Sequence, residues 1–136
     1  PNAIIKNDAE YILMFRKPGG YRSPTEEQRR LSKLSKEEHQ RWFRQAWFDI
    51  PGAARRDHPA PFPEKLAYRL IRMFSFVGDT VLDPFAGTGT TGVAALRAGR
   101  TPILIECDAA YAKIARKRMK SELAQSRFVE AGMPIR

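Results

Sequence analysis

The sequence predicts an α/β fold, one part of a doubly wound parallel sheet with a small helical insert. Three observations carry this. Thr80-Val81-Leu82-Asp83 is a short apolar strand that ends in a carboxylate. It leads through Pro84-Phe85-Ala86 into the glycine-rich turn Gly87-Thr88-Gly89-Thr90-Thr91 and a helix over Gly92 to Ala98. Pro102-Ile103-Leu104-Ile105-Glu106 is a second apolar strand, again closed by an acid. Strand, glycine turn, helix and strand form a βαβ unit of the nucleotide-binding type. The helix N-terminus offers unpaired N–H groups, and glycines let a ligand approach the backbone. Gly99 stands where a helix end favours a residue with φ > 0.

Three ligands compete for this turn. Gly87-x-Gly89-x-x-Gly92 matches the dinucleotide (NAD) fingerprint, but Asp83-Pro84-Phe85-Ala86 separates the strand from the first glycine. A Walker-type phosphate loop fails, because no Gly-Lys-Ser/Thr follows. S-adenosylmethionine suits the chemistry best: it has a ribose but no pyrophosphate, and its sulfonium and ammonium groups favour Asp83. Glu106 follows the glycines by about twenty residues, the spacing at which an acid meets ribose hydroxyls. The plain alternative is a tight strand–helix turn with no ligand; two strand-end acids in register argue against it.

Asp83-Pro84-Phe85-Ala86-Gly87-Thr88-Gly89-Thr90-Thr91 resembles the cofactor motif of amino-group DNA methyltransferases, the N6-adenine and N4-cytosine enzymes. His58-Pro59-Ala60-Pro61-Phe62-Pro63-Glu64-Lys65-Leu66 resembles the segment that precedes that motif in their β class. Ile105-Glu106-Cys107-Asp108 followed by Tyr111 resembles the acidic strand end and helix start after it. The likeness covers residues 58–118 in the family's order, and a weaker one extends it to Asn7–Tyr21. It implies a Rossmann-like, S-adenosylmethionine-dependent methyltransferase sheet acting on double-stranded DNA in the cytoplasm. It also implies cofactor contacts: Asp83 and Phe85, Ala86, Gly87, Thr88, Gly89, Thr90 and Thr91 at the methionine portion, and Glu106 at the ribose. Asp108 and Phe62 would border the adenine, and His58 and Ala60 belong to the segment along the cofactor.

The chain has 136 residues, enough for one domain. Its parts are read as strand and loop (1–18), basic helical insert (19–57), βαβ region (58–124) and tail (125–136). The net charge of +9 is compatible with a nucleic-acid partner. The single Cys107 excludes an internal disulfide and is consistent with a reducing compartment. The apolar runs are strand-sized, so no membrane span is expected. His39 and His58 are the only histidines and have no ligand cluster, so no metal site is expected.

Glu10 to Phe15 reads as a buried strand. Ser23-Pro24-Thr25-Glu26 and Ser35-Lys36-Glu37-Glu38 have capping-box spacing and predict helices over 24–32 and 36–46. Residues 16–56 carry eleven Lys and Arg against five Asp and Glu. Arg41, Trp42, Phe43, Arg44, Trp47 and Phe48 invite a DNA reading, with guanidiniums on phosphates and aromatics on an extruded base. The plainer reading, favoured for the aromatics, packs Trp42, Phe43 and Trp47 against the body and leaves the arginines solvated. A helix from Pro63 to Ser75 is expected to bury Leu66, Leu70, Met73 and Phe74. Asp108 is placed to cap a helix over 109–123. Tyr111, Ile114, Ala115 and Met119 would face the sheet, with Lys113, Arg116, Lys117, Arg118 and Lys120 solvated. Phe128-Val129 suggests a short strand.

The resemblance also marks what is missing. The family's catalytic motif, Asp/Asn/Ser-Pro-Pro-aromatic, requires a Pro-Pro pair, and the sequence contains none. In the β class that motif precedes the cofactor motif, so no catalytic residue is assigned here. The chain is expected to be a C-terminal, cofactor-binding half that joins a missing N-terminal half or a second copy. The non-catalytic alternative is a nucleic-acid-binding methyltransferase remnant.

Overall fold

The computed structural model describes residues 10–20, 22–51 and 62–130. In chain order its elements are α1 (Glu26–Leu31), α2 (Lys36–Trp42), α3 (Glu64–Phe74), β1 (Thr80–Asp83), α4 (Thr90–Arg97), β2 (Thr101–Leu104) and α5 (Ala109–Glu130). His58, Ala60 and Asn7 lie outside the described residues.

β1 and β2 pair in parallel, Thr80 opposite Thr101 through Asp83 opposite Leu104, with α4 as the crossover. Strand side chains alternate between faces. Val81 packs on a core of Ala67, Ile71, Ala94, Ala95 and Ala98, contributed by α3, α4 and the turn after α4. Leu104, two residues from Pro102 on the same face, meets α4 at Gly92. The alternate residues Leu82, Ile103 and Ile105 are 58, 50 and 55% exposed, so among the described residues one face of the ladder carries helices and the other is bare. Small residues on α4 bring its neighbours close: Ala94 and Ala95 are fully buried. Arg97 of α4 makes a two-point ion pair with Glu122 of α5, at 2.8 and 2.9 Å, and also pairs with Glu64 of α3. Such exposed pairs add little energy but fix how three helices lie together.

At the N-terminal ends of the strands, Arg100 is buried and donates to the Ser75 hydroxyl (3.0 Å) and to the carbonyls of Ser75 and Ala98. The helical insert docks at this same end. Gln28 Nε2 donates to the Val77 carbonyl and the Val77 N–H to Ser32 Oγ, at 3.0 and 2.8 Å. Glu38 pairs with Arg72 of α3. The insert therefore braces the turn that feeds β1, remote from the strand-end acids.

Several expectations need correction. Residues 10–15 form no strand, and Tyr11 to Phe15 are all exposed. A strand's backbone groups need a neighbouring strand, and among the described residues none pairs with this segment. The sheet among the described residues thus has two strands, not three. The cap of α1 is Thr25, not Ser23: Thr25 Oγ1 accepts from Gln28 N and Gln28 Oε1 from Thr25 N, completing the box two residues later than read. The Ser35/Glu38 box forms as expected. α2 ends at Trp42 rather than 46, because the chain turns there to bring Trp47 back against it. In α3 the deeply buried residues are Ala67, Arg69 and Ile71, while Phe74 is exposed. Ile114 is exposed as well, so α5 meets its neighbours through Ala115 and Met119. Residues 128–129 continue α5 as helix, not strand.

Candidate functional site

The two strand-end acids and the glycine turn come together where both strands end. Asp83 closes β1, and its Oδ1 accepts from Phe85 N (2.9 Å), turning the chain out of the sheet. Its Oδ2 has no partner among the described residues. Ala86 N donates to Ile105 O (2.9 Å), which ties the turn to the end of β2. Gly87 N donates to Glu106 Oε2 (2.6 Å), and Gly89 N to Ala86 O (2.8 Å). The glycine loop is thus strung between the two strand ends.

The glycines have two different causes. Gly87 and Gly89 take φ of +51° and +82°, which L side chains rarely adopt. At Gly89 a Cβ would also lie 2.9 Å from Ala115 Cβ and 3.1 Å from Ala115 Cα. At Gly92 it would lie 2.7 Å from Leu104 Cδ1 and 2.8 Å from Met119 Sδ. Sequence reasoning assigned these glycines to ligand approach. At positions 89 and 92 the close neighbours are α5 and β2 of the protein itself.

Glu106 stands just beyond β2. Its Oε1 accepts from Asp108 N (2.9 Å) and its Oε2 from Gly87 N. The N–H of Asp108, then that of Gly87, hold the carboxyl below its ordinary value, so it is ionised at neutral pH. The Cys107 thiol also donates to Oε1, at 3.6 Å, so of the carboxylate's roughly four acceptor sites the one left open for a hydroxyl donor is on Oε2. Asp108 Oδ1 accepts from Ala110 N (2.7 Å) and Tyr111 N (3.1 Å), capping α5 as expected. Phe85 is 87% exposed beside the loop, and Phe62 is partly exposed just before α3. Gly89, as N-cap of α4, has no side chain to offer, so no side chain caps that helix. A ligand with a carboxylate, a cation and vicinal hydroxyls therefore finds matching groups: the α4 N-terminus, Asp83 Oδ2 and Glu106.

One contact was missed by sequence reasoning. Arg118, expected on the solvated side of α5, donates through one nitrogen to Thr88 O (2.8 Å). The same nitrogen lies 3.3 Å from the hydroxyls of Thr88 and Thr90. Its position one turn beyond Ala115 is the only local signal that it belongs on the inner face.

The aromatic cluster follows the plainer reading at Trp42 and Trp47 but not at Phe43, which is 52% exposed. Trp42 is buried with the guanidiniums of Arg69 and Arg72 at 5.6 and 5.4 Å from its ring, and Trp47 Nε1 donates to Trp42 O. Arg69 is 1% exposed, lies 4.6 Å from the Trp47 ring, and grips Asp49 through two bonds of 3.1 and 2.7 Å. Arg41 and Lys65 also bond Asp49, and Arg44 donates to Gln40 O, so these cations have intramolecular roles. Phe43 stacks on His39 at 4.4 Å, while Phe48 is exposed. Among the described residues no group of His, Cys, Asp and Glu could hold a metal, and no helix is long and apolar enough to cross a membrane.

Comparison with known proteins agrees with the fold. A DNA methylase family model, of the N6/N4 type, matches residues 2–117. The type II methyltransferase M.MthZI of Methanothermobacter thermautotrophicus is 43% identical over 93% of this chain, and M.MjaI of Methanocaldococcus jannaschii 49% over 79%. The chain spans 38 and 37% of those two proteins. The crystal structure of TTHA0409, a candidate DNA modification methylase of Thermus thermophilus, complexed with S-adenosyl-L-methionine, superposes with a TM-score of 0.81 at 60% identity. That match covers 90% of this chain and 48% of TTHA0409.

Proposed function

The chain belongs to the DNA methylase family, and from that premise we propose that it supplies the cofactor-binding half of a site-specific DNA methyltransferase. The cofactor is S-adenosylmethionine. The reaction is methyl transfer to the exocyclic amine of adenine (N6) or cytosine (N4) in double-stranded DNA. The observation that carries this reading is an ionised acid, Glu106, bonded to the glycine loop at the ends of two parallel strands. When bound, S-adenosylmethionine would supply a methyl group on a sulfonium: the amine nitrogen would bond the methyl carbon as the carbon–sulfur bond breaks, with S-adenosylhomocysteine and one amine proton leaving.

This chain's residues bind and orient. Asp83 Oδ2 faces the cationic end, and the 85–91 loop with the α4 N-terminus takes the amino-acid portion. Glu106 accepts from the ribose hydroxyls. Phe62 and Asp108 would border the adenine, and His58 and Ala60, outside the described residues, are assigned to the cofactor segment by the family resemblance alone. Holding the cofactor beside the acceptor amine provides proximity, the main demand of an in-line displacement. The base must leave the stack to reach it. The polar and aromatic groups that receive that base come from the missing half or a second copy, docked on the bare face of the sheet, in the cytoplasm. The dinucleotide alternative is weakened at Gly89, where Ala115 occupies the space that a close-approaching pyrophosphate would need, while the packing of Gly92 is common to both motifs.

Glu106→Ala is expected to weaken S-adenosylhomocysteine binding by about tenfold or more, the usual scale for losing hydrogen bonds to a charged acceptor. Calorimetric titration checks it, and unchanged affinity would sink the ribose role. Incubation with labelled S-adenosylmethionine and mixed-sequence DNA, followed by digestion to nucleosides, tests the division of labour. No transfer, with S-adenosylhomocysteine binding intact, is the expected result for the chain alone. DNA binding without cofactor affinity would favour the non-catalytic remnant, a reading that draws on the missing Pro-Pro pair.

A further inference from the structure

Arg118 reaches the glycine loop from α5 and meets three oxygens there: the Thr88 carbonyl at 2.8 Å and the Thr88 and Thr90 hydroxyls at 3.3 Å each. A guanidinium can only donate. Each threonine oxygen must therefore act toward it as an acceptor, and each hydroxyl keeps its own proton to give elsewhere. Among the described residues neither hydroxyl has another partner. Beside them the uncapped N-terminus of α4 directs its first N–H groups outward. The cation on α5 thus polarises two hydroxyls at a helix end that already favours negative charge.

We propose that Arg118 is a positioning residue that makes Thr88 and Thr90 donors to the carboxylate of the cofactor's amino-acid end. It gives the loop its preference for ligands that carry this group. The proposal rests on the cofactor reading above, and adds which residue outside the motif sets the polarity of the motif's hydroxyls. It differs from a purely structural brace in a specific way. A brace would weaken every adenosine ligand together, whereas this role acts only on those with the carboxylate.

The test uses two ligands and the 136-residue chain. S-adenosylhomocysteine carries the amino-acid end; 5′-methylthioadenosine shares its adenosine and thioether but lacks that end. Arg118→Met keeps most of the stem and removes the charge, and Arg118→Lys keeps a charge without the fork. Calorimetry is expected to show Arg118→Met binding S-adenosylhomocysteine about tenfold more weakly, with methylthioadenosine affinity unchanged and Arg118→Lys in between. Thr88→Val, which leaves α5 untouched, is expected to reproduce part of the selective loss even if Arg118→Met folds poorly. Equal weakening of both ligands, or no weakening of either, overturns the proposal while the cofactor site stands. Failure of the unmodified chain to bind either ligand overturns both readings together.

Discussion

Gly89→Ala is expected to destabilise the chain by about 3 kcal/mol and to remove cofactor binding. The left-handed conformation alone costs an L side chain about 1–2 kcal/mol. Overpacking adds about 1–3 kcal/mol, because the new methyl would press on Ala115 at both Cβ and Cα. The obstacle includes helix backbone, which cannot rotate aside as a long side chain can. Gly99 provides the control. It has a similar φ of +73°, yet a Cβ there meets only Val77 methyls, 3.4 Å away. Gly99→Ala should therefore cost about 1 kcal/mol. Urea unfolding of both variants separates conformation from packing. Equal losses would refute the packing argument, and partial recovery by Ala115→Gly in the Gly89→Ala background would support it.

Asp49→Ala is the second large effect, expected at about 3 kcal/mol. Arg69 is almost wholly buried between Trp42 and Trp47, and among the described residues Asp49 is the only carboxylate bonded to it. Removing the acid leaves a buried cation without its counter-charge, a larger loss than the pair's net worth. Replacing Arg69 with Met in that background should recover part of the stability. No recovery would mean that the stranded charge is not the cause. The pair also carries an acid dependence. Arg69's hydrogen bonds hold the Asp49 carboxyl well below the usual carboxylate range. A depressed folded-state pKa stabilises fully above the unfolded value, near pH ~4, and that stability fades as pH falls further. Thermal midpoints should thus drop below about pH 4 in the parent and less steeply in Asp49→Ala, and parallel profiles would refute the link.

What the sequence made legible was local. The βαβ unit could be read because its strands, glycine turn and acids follow one another within a few residues. The Ser35/Glu38 box and the Asp108 cap could be read because a cap acts within one helical turn. The place of Glu106 beside the glycine loop was legible from its spacing to the glycines. Long-range pairings left no such mark: Arg118 meets Thr88 across 30 residues and Arg69 meets Asp49 across 20. Both arginines look like solvated charges until the tertiary neighbour is known. The 10–15 segment misled for the opposite reason. Its apolar run is strand-like, but strand formation is decided by a partner that composition cannot show. The reason for Gly89 and Gly92 was likewise invisible, because a missing Cβ says nothing about which neighbour occupies the space.

The bare face of Leu82, Ile103 and Ile105 has a consequence for the chain in solution. Apolar contact between copies is opposed by the net charge of +9, which makes copies repel. Added salt shortens the reach of that repulsion to about 10 Å at about 0.1 M. Sulfate or phosphate strengthens apolar burial directly. Clustering of this chain should therefore grow with ionic strength. Attachment to a polyanion runs the other way, because counterions released from DNA make binding weaker as salt rises. The sign of the salt response thus distinguishes copies gathered through the sheet face from copies gathered on a nucleic acid.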